Sequence, residues 1–229
     1  MNEKEIQLHK LISSGNETEA IALLDSDDSI DVNFEYNQRI PIFSAINQKM
    51  YKLFEKIVQN PKFDSNVEDG FGENLLESLI YVYTADDLDS YVVENEYGTQ
   101  NALELMIKAI LNTKSFNFNH KDLNEDTAIN IAAEYPKANW IVEALAADEN
   151  VDINIVNDFD STALTNAIRN KNTEAIKVLV KRSDLEVRDR DVEIASKYGV
   201  KLEDYGIDTN NLKVTEVEVE ESAFAIACE

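Results

Sequence analysis

Histidine and cysteine, the side chains that most often hold a metal or supply a nucleophile, are scarce in this chain. Its 229 residues contain two histidines, His9 and His120, and one cysteine, Cys228. Neither histidine has a cysteine or a second histidine at metal-ligand spacing. Cys228 lies one residue from the last position, where a nucleophile is poorly oriented. We therefore expect the histidines to be structural or solvated and the cysteine to have no catalytic role.

Glycine-containing and acidic segments also lack the patterns that bind phosphate or calcium. The segment DGFGEN at 69–74 has neither the third glycine of a dinucleotide-binding loop nor the Lys-Ser/Thr pair of a P-loop. The acidic stretches that begin at Asp25 and Asp158 lack the glycine and the bidentate glutamate of a calcium loop. The sequence thus predicts no metal site, no cofactor and no enzyme activity.

Acidic residues dominate the charge of the chain. Asp and Glu number 45 against 21 Lys and Arg, which gives a formal net charge of −24. Residues 63–107 contain eleven acids and no base, whereas residues 169–201 contain nine cations. Phosphate binding needs clustered cations, so direct nucleic-acid binding is not expected and a basic protein surface is the better partner. The charge is also consistent with a general role in solubility.

Targeting segments are not apparent in the sequence. No apolar run approaches the ~20 residues of a membrane-spanning helix. The first ten residues, MNEKEIQLHK, lack the basic-then-apolar plan of a signal peptide. We expect a cytoplasmic protein without a membrane partner, located in the host cytoplasm if it is viral.

A repeated phrase organises the chain. NEDTAINIAA at 124–133 resembles DFDSTALTNAI at 158–168, and Asp-x-Asn or a close variant begins at 31, 64, 117, 152 and 184. These starting points differ by 33, 53, 35 and 32 residues, which indicates a repeat of about 33 with one insertion. Each copy has an aliphatic anchor followed three positions later by a residue that is usually Ala: Ile42 and Ala45, Leu76 and Leu79, Ile129 and Ala132, Leu164 and Ala167, Val192 and Ala195.

Helices are predicted after each of these turns. Thr127 and Thr162 stand before aliphatic runs, where a hydroxyl can accept from free N–H groups at a helix start. Asn16, with Glu19 three residues later, predicts a capping box. The Ala after each anchor allows close helix approach, so stacking of neighbouring units would build the core.

These residues resemble the ankyrin repeat. TALTNAI, EAIKVLV and DLE follow its order of first helix, second helix and Asp-x-Asn loop, and IPIFSAI keeps a proline at Pro41. The resemblance implies an all-α solenoid of stacked helix-turn-helix units with extended hairpin loops. It covers about residues 3–205.

The resemblance also suggests a domain organisation. We expect residues 1–206 to form an ankyrin-repeat array of about five units, with an insertion near 84–101. Residues 207–229 form an acidic-then-apolar tail that either caps the last unit or is mobile.

Ankyrin arrays are binding scaffolds, and the resemblance implies which faces they use. These are the hairpin tips and the outward positions of the first helices, which line a concave groove. The positions predicted to contact a partner are Tyr36, Asp69, Phe71, Asp122, Asp158 and Phe159 on the tips, Tyr81, Val82, Glu134, Tyr135, Arg169 and Tyr198 on the first helices, and Asp86, Asp87 and Asp89 in the insertion.

The leading hypothesis is a non-catalytic scaffold that binds, and inhibits or adapts, one protein partner. Small ankyrin proteins without an attached domain often resemble adaptors or inhibitors, and viral or bacterial ones resemble factors directed at a host or defence protein. The Asn-, Ile- and Lys-containing composition fits an A/T-rich microbial or phage genome. The alternative is an acidic nucleic-acid mimic that blocks a DNA- or RNA-binding protein, such as a viral counter-defence factor, and the base-free window at 63–107 motivates it.

Overall fold

Helices are paired along the chain in the computed structural model, which describes residues 2–37, 39–85, 92–95, 98–113 and 116–209. A short turn joins the two helices of most pairs. The α-helices of the described residues are α1 (Glu3–Ser13), α2 (Glu17–Ser26), α3 (Pro41–Asn47), α4 (Tyr51–Val58), α5 (Leu75–Ala85), α6 (Ala102–Leu111), α7 (Ala128–Glu134), α8 (Asn139–Ala146), α9 (Ala163–Arg169), α10 (Thr173–Leu179) and α11 (Asp189–Tyr198).

Non-α elements are short. One antiparallel pair of strands, β1 (Val92–Asn95) and β2 (Gly98–Asn101), lies between α5 and α6. In the part of the chain that the structure describes, the 3-10 helix Pro136–Ala138 lies between α7 and α8, and the 3-10 helix Leu202–Tyr205 follows α11.

The helices form two layers. The first helices of the pairs contact one another in chain order, from α1 through α3, α5, α7 and α9 to α11. In the second layer α2 packs on α4, α4 on α6, and α8 on α10. Each helix pair therefore buries its apolar face against its neighbours, which is the stacking that the repeat spacing predicts.

Small buried residues permit this close stacking. Ala132 on α7 and Ala167 on α9 are fully buried, and Ala195 on α11 is almost so. A larger side chain at these positions would push neighbouring helices apart, because protein interiors are close-packed. The predicted all-α solenoid is confirmed.

The Asp-x-Asn motif joins neighbouring units through hydrogen bonds. In the unit that begins at Asp152, the carboxylate accepts from the Asn154 N–H at 2.9 Å. The Asn154 side chain then donates to the Asp184 carbonyl at 2.8 Å and accepts from the Glu186 N–H at 2.9 Å. Asn33 and Asn119 bridge to their following units in the same way. The motif recurs because its two side chains satisfy the backbone of two adjacent loops.

Helix caps agree with the sequence at some positions and differ at one. The Thr127 and Thr162 hydroxyls accept from the N–H groups of Asn130 and Thr165, as predicted. The capping box predicted at Asn16 is wrong, because that side chain makes no cap hydrogen bond. A capping box is found instead one helix earlier, between Asn2 and Glu5.

Several sequence predictions concern residues outside the described ranges. These are the acidic residues at 86–89 in the insertion and the tail from residue 210 onward. The capping or mobile tail stays a prediction. None of the helices in the described part of the chain combines the length and apolar composition that crossing a bilayer requires.

Candidate protein-interaction surface

Three successive hairpin tips have the same local geometry. An Asp or Asn side chain at the start of each tip accepts backbone N–H groups two and four residues later. Around Asp122, the two N–H···Oδ1 distances are 2.8 and 2.9 Å, and the Asp122 N–H donates to the Asp126 carbonyl at 2.9 Å. Side-chain acceptors of this kind fix a turn. The three tips, at 69–73, 122–126 and 157–161, therefore present their side chains in a defined direction.

The fourth residue of each tip has a left-handed backbone. Its φ is 68° at Gly72, 61° at Glu125 and 55° at Asp160. Side chains other than Gly, Asn and Asp adopt this conformation rarely. The hydrogen bonds of the tip hold Glu125 in this left-handed conformation. The chain reverses its direction sharply at this residue in each tip.

Large apolar side chains stand exposed on these tips. Phe71 is 70% exposed, Leu123 is 72% exposed and Phe159 is 62% exposed. Backbone hydrogen bonds connect the tips laterally, from the Leu123 N–H to the Phe71 carbonyl at 3.4 Å and from the Asp158 N–H to the Asn124 carbonyl at 2.9 Å. We call Phe71, Leu123 and Phe159 the hairpin-tip ridge. Exposed apolar patches of this kind are typical of interaction sites.

A cleft opens beside the first residue of the ridge. Its volume is about 760 Å³, and its lining includes Phe71 together with Glu68 and Asp69 from the same loop. On the opposite side it is lined by residues of α3 and its C-terminal end, among them Phe43, Asn47 and Gln48. The cleft extends the ridge toward the first helices.

Carboxyl groups gather between the tips and the first helices. Glu73, Asp122, Asp126 and Glu134, which we call the carboxylate cluster, act on one another and on Tyr81 electrostatically. Burial raises the pKa of Glu73 to about 7, and the charges of Asp69 and Asp122 add to the shift. Burial likewise raises the pKa of Tyr81, Asp126 and Glu134. The cluster therefore concentrates negative charge that solvent only partly screens.

Two groups moderate the cluster. The Asn157 amide donates to Asp126 at 2.6 Å. This hydrogen bond stabilises the ionised form of the buried Asp126 carboxyl group and connects neighbouring tips. The positive charge of Arg169 on α9 opposes the rise in the pKa of Asp126 and Glu134. The Arg169 guanidinium also donates to Ser161 Oγ at 2.7 Å. The positive charge is thus at the α9 end of the cluster, whereas Glu73 belongs to the tip at 69–73, two tips before the one that precedes α9.

His120 connects two units at the edge of this surface. Its Nδ1 lies 2.9 Å from Glu77 Oε2, and its Nε2 lies 3.0 Å from Glu68 Oε1. Burial lowers the pKa of the imidazole, but the two carboxylates raise it by more, so the net shift is upward. His120 therefore bridges the hairpin loop and α5 through contacts with two carboxylates.

The structure places the predicted contact residues in different environments. Phe71, Asp158 and Phe159 are exposed, whereas Asp122 is buried within its tip. Asp86, Asp87 and Asp89 lie outside the described residues. The others are half-buried: Tyr36, Asp69, Tyr81, Val82, Glu134, Tyr135, Arg169 and Tyr198.

Sequence reasoning missed several members of this surface. Leu123 follows Asp122 in the predicted tip, and the signal that could have found it is that an apolar residue there has no core to enter. Glu73 and Asp126 directly precede the residues that cap α5 and α7, and the repeat register alone would have aligned them. The contact of Asn157 with Asp126 has no signal in the sequence, because it depends on the lateral spacing of two tips.

Comparison with known proteins agrees with this architecture. The described residues form a repeat solenoid with paired helices and hairpin loops between the pairs. Residues 93–191 match the family model for ankyrin repeats (3 copies). These residues are therefore similar to ankyrin repeats, a family that is typically non-catalytic and generally mediates protein–protein interaction. A search of curated proteins finds no match to the chain.

The raised pKa of Glu73 predicts a pH-dependent stability. Its folded-state pKa of about 7 lies above the ordinary value of 4.5, so the folded state favours the protonated form. Stability is then lost as the pH rises from about 4.5 through 7. We expect Glu73→Gln to raise the free energy of unfolding by about 1 kcal/mol at pH 8, a value reduced for partial solvent screening, and to change it little at pH 4.5.

Urea denaturation at the two pH values measures this effect. The exposed Glu149→Gln is the matched control and should leave the pH dependence as in the wild type. Equal gains for Glu73→Gln at both pH values would contradict a charge penalty at this position.

Proposed function

We propose that the protein is a non-catalytic scaffold whose hairpin-tip ridge and carboxylate cluster bind one protein partner with a basic surface. The observation that carries the proposal is the exposure of three large apolar side chains, Phe71, Leu123 and Phe159, on adjacent tips. Exposing them to water is unfavourable for the isolated chain, and a partner that covers them gains that free energy. Through this contact the scaffold would inhibit the partner or connect it to another protein.

Charge supports a basic partner. The ridge is flanked by Asp69 and Asp158, and the carboxylate cluster lies between the tips and the first helices. Negative potential of this kind attracts cationic side chains and repels phosphate, so it disfavours direct nucleic-acid binding. The apolar ridge would provide affinity, and the carboxylates would provide orientation and association rate.

The test compares matched variants as bait. Phe71→Ser, Leu123→Ser and Phe159→Ser combined should reduce the capture of the wild type's main partner about tenfold or more, because apolar anchors dominate interface energies. The control combines Glu55→Ser, Glu143→Ser and Glu174→Ser, which are exposed on the second helices α4, α8 and α10. This control should capture the partner as well as the wild type does. Circular dichroism of all three baits checks that each one is folded.

Salt and competitor DNA separate this scaffold from the nucleic-acid mimic. Binding through the ridge should persist at high salt and in excess DNA, because apolar contacts are not screened. A mimic's partner would be lost at high salt and displaced by DNA, since paired surface charges are screened. Charge reversal at Asp86, Asp87 and Asp89 should abolish mimicry but only weaken binding through the ridge. Full capture by the ridge variant would contradict the proposal.

A further inference from the structure

The last helix pair is incomplete within the described residues. The first helix α11 ends at Tyr198 and is followed, up to residue 209, by the 3-10 helix Leu202–Tyr205. In the preceding unit, α9 is followed by the α-helix α10, which packs on α8. In a stacked array each unit is covered by the next one, so an incomplete last unit leaves apolar surface without a cover.

A cleft of about 400 Å³ lies at this end of the array. Its apolar lining consists of half-buried side chains that pack against the core on one side only: Val180, Leu185, Val187, Tyr205 and Ile207.

The repeat register places Leu185 of this lining at a position that is fully buried in two other units. Leu185 is the middle residue of the last Asp-x-Asn variant. Its counterparts Val32 and Ile153 are both 0% exposed. Leu185 is half-buried, as is its counterpart Phe118 in the 117–119 motif.

The chain itself provides an occupant of suitable composition. Residues 210–229 begin three positions after Ile207, which lines the cleft. Within them, 223–227 reads AFAIA and is wholly apolar, while 214–221 reads VTEVEVEE. Residues 209–222, 14 in number, follow Asp208 of the cleft and span up to about 45 Å when extended, so the apolar segment can return to the cleft.

Charge favours the same placement. Residues 169–201 have nine cations against six acids, in a chain whose net charge is −24. Lys181 and Lys201 are exposed in this basic part. The acidic stretch at 214–221 is therefore attracted to the last two units more than to the rest of the array.

We propose that the apolar segment 222–228 docks into the cleft of its own chain and completes the last unit. The phenylalanine and the isoleucine of this segment cover Leu185, Val187 and Ile207, and the acidic stretch lies along the neighbouring lysines. The tail then acts as an intramolecular cap that shields the open end of the solenoid from other proteins.

The single cysteine, Cys228, makes the proposal testable in the full chain. Ser183 is exposed on the loop that joins Arg182 to Leu185 of the cleft, and Ser196 is exposed on α11. With oxidised glutathione as the oxidant, Ser183→Cys should form an intramolecular disulfide with Cys228 about tenfold faster than Ser196→Cys, because docking raises the effective concentration of the two thiols. An unattached tail would reach both positions at similar rates.

Mass spectrometry and non-reducing gels identify the products. Adding Phe224→Ser to the Ser183→Cys variant should reduce its rate to within about twofold of Ser196→Cys, since the apolar contact is lost. Equal rates for the two single variants would overturn the proposal. Disulfide-bonded dimers as the main product would also overturn it, because the cleft would then hold the tail of a second copy.

Discussion

Replacing Arg182 with Ala is expected to lower the free energy of unfolding by about 3 kcal/mol. The Arg182 guanidinium donates to the carbonyls of Ala146, Asp148 and Val151 at 3.0 to 3.1 Å. These carbonyls lie at and beyond the C-terminal end of α8, where a helix has no intrahelical donors for its last residues. Hydrogen bonds from a charged donor contribute about 1.5 to 3 kcal/mol each, with non-additive sums.

The same side chain joins two units, so its loss should reduce their coupling as well. Arg182 also pairs with Asp184 at 2.6 Å, but Asp184 is exposed and that pair contributes little. Arg182→Lys retains the charge without the planar fork and should recover less than half of the loss.

Urea denaturation followed by circular dichroism measures both variants. The control is Arg190→Ala, which removes a half-exposed arginine with ion-pair distances of 3.3 and 3.9 Å. Arg190→Ala should lower the free energy of unfolding by less than about 1 kcal/mol. A comparably small loss for Arg182→Ala would show that the three carbonyls find water instead.

Asn157→Asp is expected to lower the free energy of unfolding by about 2 kcal/mol at pH 7. The native amide donates to Asp126 Oδ1 at 2.6 Å, and both groups are largely buried. An ionised carboxylate at that position would replace the donor with a second negative charge, and it would raise the pKa of Asp126 further. The new side chain still accepts from the tip N–H groups, so the change isolates the contact between tips.

The pH dependence of this penalty has a definite sign. Carboxyl groups whose pKa is raised in the folded state destabilise it when ionised, so the penalty is present at pH 7 and decreases as the pH falls toward 4. A protonated carboxyl can again donate to Asp126. The control Asn124→Asp adds the same charge on the exposed neighbouring tip and should cost less than about 0.5 kcal/mol. A penalty for Asn157→Asp that is independent of pH would contradict charge repulsion as its cause.

The fold was predictable because the residues that determine each repeat lie close together in the sequence of one unit. Thr162 caps α9 through its own hydroxyl, and Ala167 is small where α7 and α9 pack. Both requirements arise within one unit and recur in the next, so spacing alone reveals them.

The interaction surface was only partly predictable, since it depends on contacts between units. The sequence predicts that Asp69 and Asp122 face a partner from the hairpin tips. In the structure their carboxylates accept backbone N–H groups within the tips. The exposure of Leu123 and the contact of Asn157 with Asp126 follow from the lateral spacing of stacked hairpins. No single unit of sequence encodes that spacing.

Hydrogen–deuterium exchange of the protein with its captured partner tests most directly whether binding occurs at the hairpin-tip ridge. The account predicts that the partner slows exchange in the tips at 69–73, 122–126 and 157–161 and leaves the second helices α4, α8 and α10 unchanged. The same amides should show no slowing when the variant with serine substitutions at Phe71, Leu123 and Phe159 is mixed with the partner. Slowing confined to the second helices, with the tips unchanged, would contradict the account.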